Sequence, residues 1–140
     1  MTSEELPADY RPSPDEPYMN PRQLAYFRKK LLDWRQALLE ESQRTIRQLQ
    51  EDAGNLGDEV DRANLESQHS LELRTRDRYR KLLSKIDAAL RRIDDGSYGY
   101  CEDTGEEIGL QRLEARPIAF LTVEAQEQRE RTEGQYSSHR

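Results

Sequence analysis

Two apolar stripes with heptad spacing, separated by one glycine-bracketed break, constrain this chain more than any other feature. Leu24, Phe27, Leu31, Trp34 and Leu38 step alternately by three and four residues. That is the pattern of a helix burying one narrow seam against another helix. The stripe weakens through Ser42, Ile46, Leu49 and Ala53 and stops at Gly54-Asn55-Leu56-Gly57, where a glycine tolerates the left-handed backbone that ends many helices. It resumes at Tyr79, Leu82, Ile86, Ala89 and Ile93, with Arg91 and Arg92 in the last turn and Gly96 beyond. Asn20-Pro21-Arg22-Gln23 is a helix start: Asn20 caps, Pro21 takes the first helical position and Gln23 reaches back. Asp58 caps the second helix, with Glu59 and Asp61 at its beginning, where acids suit the dipole. Each predicted helix runs about 30–35 residues, or about 45–50 Å.

A break between two such helices predicts an antiparallel hairpin. With the turn centred near Leu56, paired residue numbers add up to about 113. Leu24 then faces Ala89, Phe27 faces Ile86, Leu31 faces Leu82, Trp34 faces Tyr79 and Ala53 faces Val60. The distal seam is polar (Ser42, Asn64 and Ser67), which predicts an extended projection that moves toward its end. Composition agrees with an elongated helical shape. Of 140 residues, 34% are hydrophobic and 36% charged, and the mean hydropathy is -1.11. A compact sphere of this length buries about two-thirds of its unfolded surface, and these residues cannot supply that. The abundant Leu, Glu, Arg, Gln and Ala favour helix over disorder.

The expected fold is therefore mainly α. A proline-rich segment 1–19 is extended or disordered, and residues 20–95 form the hairpin with its tip at about 54–61. Residues 96–140 form a small globular domain with a C-terminal helix. Within it, Tyr98, Tyr100, Ile108, Leu110, Leu113, Ile118, Phe120, Leu121 and Val123 among Gly99, Gly105, Gly109 and Pro117 predict short strands and tight turns. Residues 123–133 read as a polar helix, with a frayed end beyond.

A net charge of -6 and a pI of about 5.1 argue against direct DNA binding, which needs a basic face. No run of about 18 apolar residues is present, and the acidic start is no signal peptide. A single cysteine excludes an internal disulfide, so a cytoplasmic location is expected. No nucleophile–base grouping, phosphate loop or dinucleotide fingerprint occurs, so no enzyme is expected. Three features hold chemistry. Glu51, Asp52, Asp58, Glu59, Asp61 and Glu66 gather at the tip against Arg62, although helix capping and solvated charge account for the same residues. Arg74, Arg76, Arg78, Arg80, Lys81, Lys85, Arg91 and Arg92 outnumber Asp77 and Asp87. They form either a solvated face or a docking patch for an acidic surface or a phosphate-rich ligand. Cys101, with His69 and His139 distant from it in sequence, cannot make a four-ligand zinc site. It reads as a small core residue or a redox thiol.

Several runs carry a specific resemblance: Tyr18-Met19-Asn20, Gln23-Leu24-Ala25, Asp58-Glu59-Val60-Asp61-Arg62-Ala63, Ser70-Leu71-Glu72-Leu73-Arg74 and Tyr98-Gly99-Tyr100-Cys101-Glu102. Ile108-Gly109 and Arg112-Leu113-Glu114-Ala115-Arg116-Pro117 complete the set. Over about residues 18–125 the chain resembles the DksA family of bacterial transcription factors, which bind RNA polymerase. The resemblance implies a coiled-coil hairpin on a zinc-finger-like globular α/β domain with a C-terminal helix. It implies a hairpin entering the polymerase secondary channel, its tip near the catalytic magnesium and trigger loop. Such a factor alters promoter-complex stability together with ppGpp, repressing ribosomal RNA promoters and activating biosynthetic ones, without contacting promoter DNA. A monomer is expected.

By that resemblance Asn55, Asp58, Asp61 and Ala63 are tip residues, and Arg74 and Arg78 touch polymerase outside the channel. Leu82, Lys85 and Arg116 belong to a ppGpp pocket, in which Gln126 replaces a basic position. The family's four zinc cysteines fall at Cys101, Thr104, Thr122 and Ala125, so no zinc is expected. Alternatives are a transcript-cleavage factor using the same channel with a second magnesium, a coiled-coil adaptor, or a thiol redox sensor at Cys101.

Overall fold

A computed structural model describes residues 6–54 and 62–138. Four helices follow in order: α1 (Pro21–Gly54), α2 (Arg62–Asp95), α3 (Leu110–Ala115) and α4 (Val123–Ser138). The fold is mainly helical, with α1 and α2 packed as an antiparallel hairpin. The chain divides into two compact units, one of residues 1–31 with 88–140 and one of residues 32–87.

The start of α1 forms as its sequence requires. Asn20 Oδ1 accepts the Gln23 N–H at 3.0 Å, and Gln23 Oε1 reaches back to the Met19 N–H at 2.8 Å. Gln23 is fully buried yet satisfied, because its amide also donates to the Ser13 carbonyl. Residues 6–19 are turns held onto this helix start. Tyr10 donates to Glu16, lies under Arg22 and meets Tyr26 edge-on. Tyr18 Oη donates to the Gly99 carbonyl at 2.7 Å and accepts the Gly109 N–H at 2.9 Å. At its far end α2 stops on Gly96, whose φ of 85° lets the Ser97 and Tyr98 N–H groups return to the Arg92 carbonyl.

The register of the hairpin differs from the sequence expectation. Arg28 pairs with Asp94 at 2.8 Å and Arg35 with Asp87 at 2.8 Å; both pairs of numbers add up to 122. Thr45 and Tyr79 share a hydrogen bond of 3.1 Å, so Tyr79 lies alongside Thr45 where Trp34 was expected. Against the expected 113, the observed pairs are offset by about nine to eleven residues, close to three helical turns. A slide of close to three turns brings the same faces back to the seam, so the stripes fit either register. The ion pairs and the Thr45–Tyr79 bond distinguish them. In the observed register Asn64 and Ser67 are exposed, and the inward face of α2 passes through Gln68, Glu72, Thr75 and Tyr79 instead. Within the 32–87 unit Leu38, Thr75, Tyr79 and Ile86 are the buried residues.

The other unit holds the denser core: Phe27, Leu31, Ala89, Ile93, Tyr98, Cys101, Leu113, Leu121 and Ala125 are all buried. Phe27 meets Tyr98 at 5.7 Å between ring centroids. Tyr98 donates to the Pro117 carbonyl at 2.7 Å, and burial pushes its hydroxyl well above the ordinary tyrosine range. Of the residues expected to hold this unit, Tyr98 and Leu113 are buried, Ile118 and Phe120 are half-buried, and Tyr100 stands at the surface. The expected short strands reduce to one antiparallel bridge between Tyr100 and Glu107; no strand forms among the described residues. Gly99, Gly105 and Gly109 all have positive φ and turn the chain before a ladder can extend. Helix α4 continues to Ser138, past Gly134.

Candidate polymerase-docking surface and zinc-knuckle remnant

The expected tip lies mostly outside the described residues: Asn55, Asp58 and Asp61 are not described. Ala63 is, and it is exposed near the start of α2, among Arg62 to Ser67, every one of which is exposed. Glu51, Asp52 and Glu66 are exposed as well, with Asp52 accepting a hydrogen bond from Gln48.

The basic run on α2 is smaller than its count of cations. Arg76 pairs with Glu72 one turn earlier at 3.6 Å. Arg80 and Lys81 both hold Asp77, depressing its carboxyl below the ordinary range. Arg92 is half-buried, donates to the Ile118 carbonyl and lies over the Phe120 ring; desolvation lowers its guanidinium pKa. Arg78 stacks on Tyr79 and stays exposed. Arg74, Lys85 and Arg116 are exposed and make no ion pair among the described residues. Leu82 is half-buried. Arg74, Arg78, Leu82 and Lys85 stand in the 32–87 unit, Arg116 and Gln126 in the other. Gln126 donates to Glu130 along α4.

Cys101 and Thr104 occupy a tight turn. The Cys101 N–H donates to the Glu106 carbonyl at 2.7 Å, and the Gly105 N–H donates to the Cys101 carbonyl at 2.8 Å. Thr122 precedes α4 and caps it, its hydroxyl oxygen accepting the Ala125 N–H at 3.2 Å. The same hydroxyl donates to Cys101 Sγ at 3.8 Å. This donor set does not fit zinc. Tetrahedral structural sites need four thiolate or imidazole ligands. Here one position is a methyl, Thr104 is exposed, and the Thr122 oxygen is already engaged as a helix cap. Among the described residues no group of three acidic, cysteine or histidine side chains could hold a metal.

The thiol keeps the hydrogen bonds of such a turn. Burial pushes Cys101 up, but the Thr104 hydroxyl and the N–H groups of Thr122, Thr104 and Asp103 outweigh it and hold the thiol at about 7, against an ordinary 9.0. A thiol depressed in the folded state contributes stability above its unfolded pKa and loses it as pH falls through the folded value. Stability is expected to rise between about pH 7 and 9 from this group. Native alkylation by iodoacetamide is expected to be slow, since Cys101 is 3% exposed, with a midpoint near pH 7. A midpoint at 9 would show that the hydrogen bonds do not reach the sulfur. Thr104→Val is expected to raise it.

A helical hairpin that carries exposed cations without ion pairs among the described residues, followed by a turn whose donor set does not fit a metal, defines the class of the chain. The comparisons give its family. Residues 23–93 match the family described as "DnaK suppressor protein DksA, N-terminal domain", and residues 96–131 match "Prokaryotic dksA/traR C4-type zinc finger". A Caulobacter vibrioides protein, "RNA polymerase-binding transcription factor DksA", is 63% identical over 126 residues, covering 90% of this chain and 89% of that protein. The Escherichia coli K12 protein of the same name is 50% identical over 115 residues, covering 82% and 76%. The solved structure of transcription factor DksA2 from Pseudomonas aeruginosa superposes with a TM-score of 0.73 at 44% identity, covering 83% of this chain and 89% of that one. The chain belongs to the DksA family.

Sequence reasoning did not single out Arg129. It stands on α4 and binds Asp103 and Glu102. The available signal was one of two arginines, Arg129 and Arg131, on a polar helix near two vacated zinc positions, too weak to read without the fold.

Proposed function

We propose that this chain is a transcription regulator that binds RNA polymerase through its secondary channel and uses the end of the hairpin near the active site. It changes the lifetime of promoter complexes and performs no chemistry of its own. The observation that carries this reading is its 63% identity, over 90% of the chain, to an RNA polymerase-binding transcription factor. The exposed and unpaired Arg74 supports docking, because an unneutralised guanidinium is available to a carboxylate on a partner. Arg78 belongs to the same docking surface. The acids at Asp58 and Asp61, with Asn55 and Ala63, form the acting end. In this reading their charge alters the field around a metal-dependent active site without holding a metal.

The alarmone ppGpp is the proposed co-regulator. Lys85 and Arg116 are each exposed without an ion pair among the described residues, so each is available to a phosphate, and Leu82 supplies an apolar contact. Gln126 in place of a cation removes one charge-assisted bond, which weakens the response to ppGpp without abolishing it. The chain works without zinc, as a cytoplasmic monomer and without contacting promoter DNA.

A hydroxyl-radical source tethered at position 61 tests the placement. In the complex with RNA polymerase, cleavage is expected inside the secondary channel beside the catalytic magnesium. Cuts confined to the outer surface of polymerase would refute it. Elemental analysis is expected to give less than stoichiometric zinc, and one zinc per chain would refute the metal-free reading.

A further inference from the structure

The zinc of a four-cysteine knuckle does one mechanical job: it ties two segments that are distant in sequence. Here those segments are the turn at 101–104 and the start of α4 at 122–125. The donors are gone, yet both segments stay packed. The Thr122 hydroxyl on Cys101 Sγ, at 3.8 Å, is a weak link to replace a metal.

A stronger link lies close by. Arg129 Nε donates to Asp103 Oδ2 at 2.9 Å and Nη2 donates to Asp103 Oδ1 at 2.5 Å, a bidentate fork. The same Nη2 donates to Glu102 Oε2 at 3.1 Å. The guanidinium also lies over Phe120, 5.5 Å from the ring centroid, and Arg92 lies over that ring too, at 5.4 Å. The Glu102 N–H donates to the Phe120 carbonyl at 2.9 Å. So Asp103, inside the first vacated knuckle, is held by a side chain from the helix that carries the second.

We infer that Arg129 is the positioning residue that takes over the tie of the absent zinc, clamping α4 to the 101–104 turn through Asp103 and Glu102. The inference rests on the metal-free reading and gives it a mechanism. Arg129 and Asp103 side chains are 40% and 37% exposed, and an isolated surface pair of that kind contributes little. The fork, the second carboxylate and the ring together make it a network. A tie made of charge has a signature that a metal tie lacks: it weakens with ionic strength, since screening shortens from about 10 Å at 0.1 M to about 3 Å at 1 M, and it ignores chelators.

The test is amide hydrogen exchange on the full chain, comparing wild type, Arg129→Met, Arg129→Lys, Asp103→Asn and the swap Arg129→Asp with Asp103→Arg. In Arg129→Met, exchange across 101–106 and 122–131 is expected to rise about tenfold through local opening, with helix amides in 35–50 unchanged. Arg129→Lys loses the fork and is expected to fall between. The swap is expected to recover part of the protection that either single change loses. Raising salt is expected to speed exchange at these amides in wild type and to have little effect in Arg129→Met. Unchanged exchange in Arg129→Met overturns the clamp, whatever the metal content. Should that variant fail to fold, Asp103→Asn and Arg129→Lys decide the same question, and protection as in wild type in both overturns it. One zinc per chain, with exchange accelerated by a chelator, overturns the metal-free reading instead.

Discussion

Replacing Asp58 and Asp61 together by Asn is expected to leave a folded chain that still binds RNA polymerase and no longer regulates it. The substitution keeps size and hydrogen-bonding shape and removes two charges, so a loss reports on charge alone. In the proposed reading, these carboxylates couple factor binding to the stability of the promoter complex. Couplings of this kind are commonly about 1–3 kcal/mol, or about 5- to 150-fold in an equilibrium. The effect of the factor on promoter-complex lifetime at a ribosomal RNA promoter is expected to fall by about tenfold or more toward none. Competition for polymerase should change by no more than a few-fold, because docking is assigned to Arg74 and Arg78. Undiminished inhibition by the double variant would refute the acting role of the acids. A parallel loss of binding and regulation would make them docking residues instead.

Gly99→Ala is expected to destabilise the protein by about 2–4 kcal/mol, read by urea unfolding. Two costs add. Gly99 has a φ of 91°, a backbone conformation that L side chains rarely adopt. A Cβ there would lie 2.8 Å from both Cγ and Sδ of Met19 and 3.3 Å from the Tyr18 hydroxyl. Met19 is itself buried and held at a φ of 53°, so it has little room to yield. Moving Tyr18 would break its bonds to the Gly99 carbonyl and the Gly109 N–H. The expected loss therefore reaches residues 6–19 as well, and their exchange protection should fall with global stability. A change below about 0.5 kcal/mol would show that Met19 relaxes freely.

Much of this molecule was legible residue by residue. The Asn20, Pro21 and Gln23 cap, the stop at Gly96, and the heptad stripes are local patterns, fixed by contacts within a few positions along the chain. They predicted the existence and approximate ends of α1 and α2. The family resemblance rested on short runs and was sound for the same reason. The vacated zinc positions were also visible, because a missing ligand type is a matter of composition at a position. How many cations of the α2 run stand free was not legible. Whether Arg76, Arg80 and Lys81 are free depends on Glu72 and Asp77 one turn away, and Arg92 is half-buried over the Phe120 ring.

The sequence by itself therefore determined that two long helices pair along one seam and that the small domain carries no four-cysteine site. Helical period and residue chemistry are properties of neighbours in the chain. Only the tertiary structure decided the register of that seam, because a slide of close to three turns leaves the apolar stripes facing inward, and the cross-helix partners of Arg28, Arg35 and Thr45 tell the registers apart. It alone decided what joins the halves of the knuckle. Arg129 and Asp103 stand 26 positions apart, and nothing in a local pattern says that two such charges will meet.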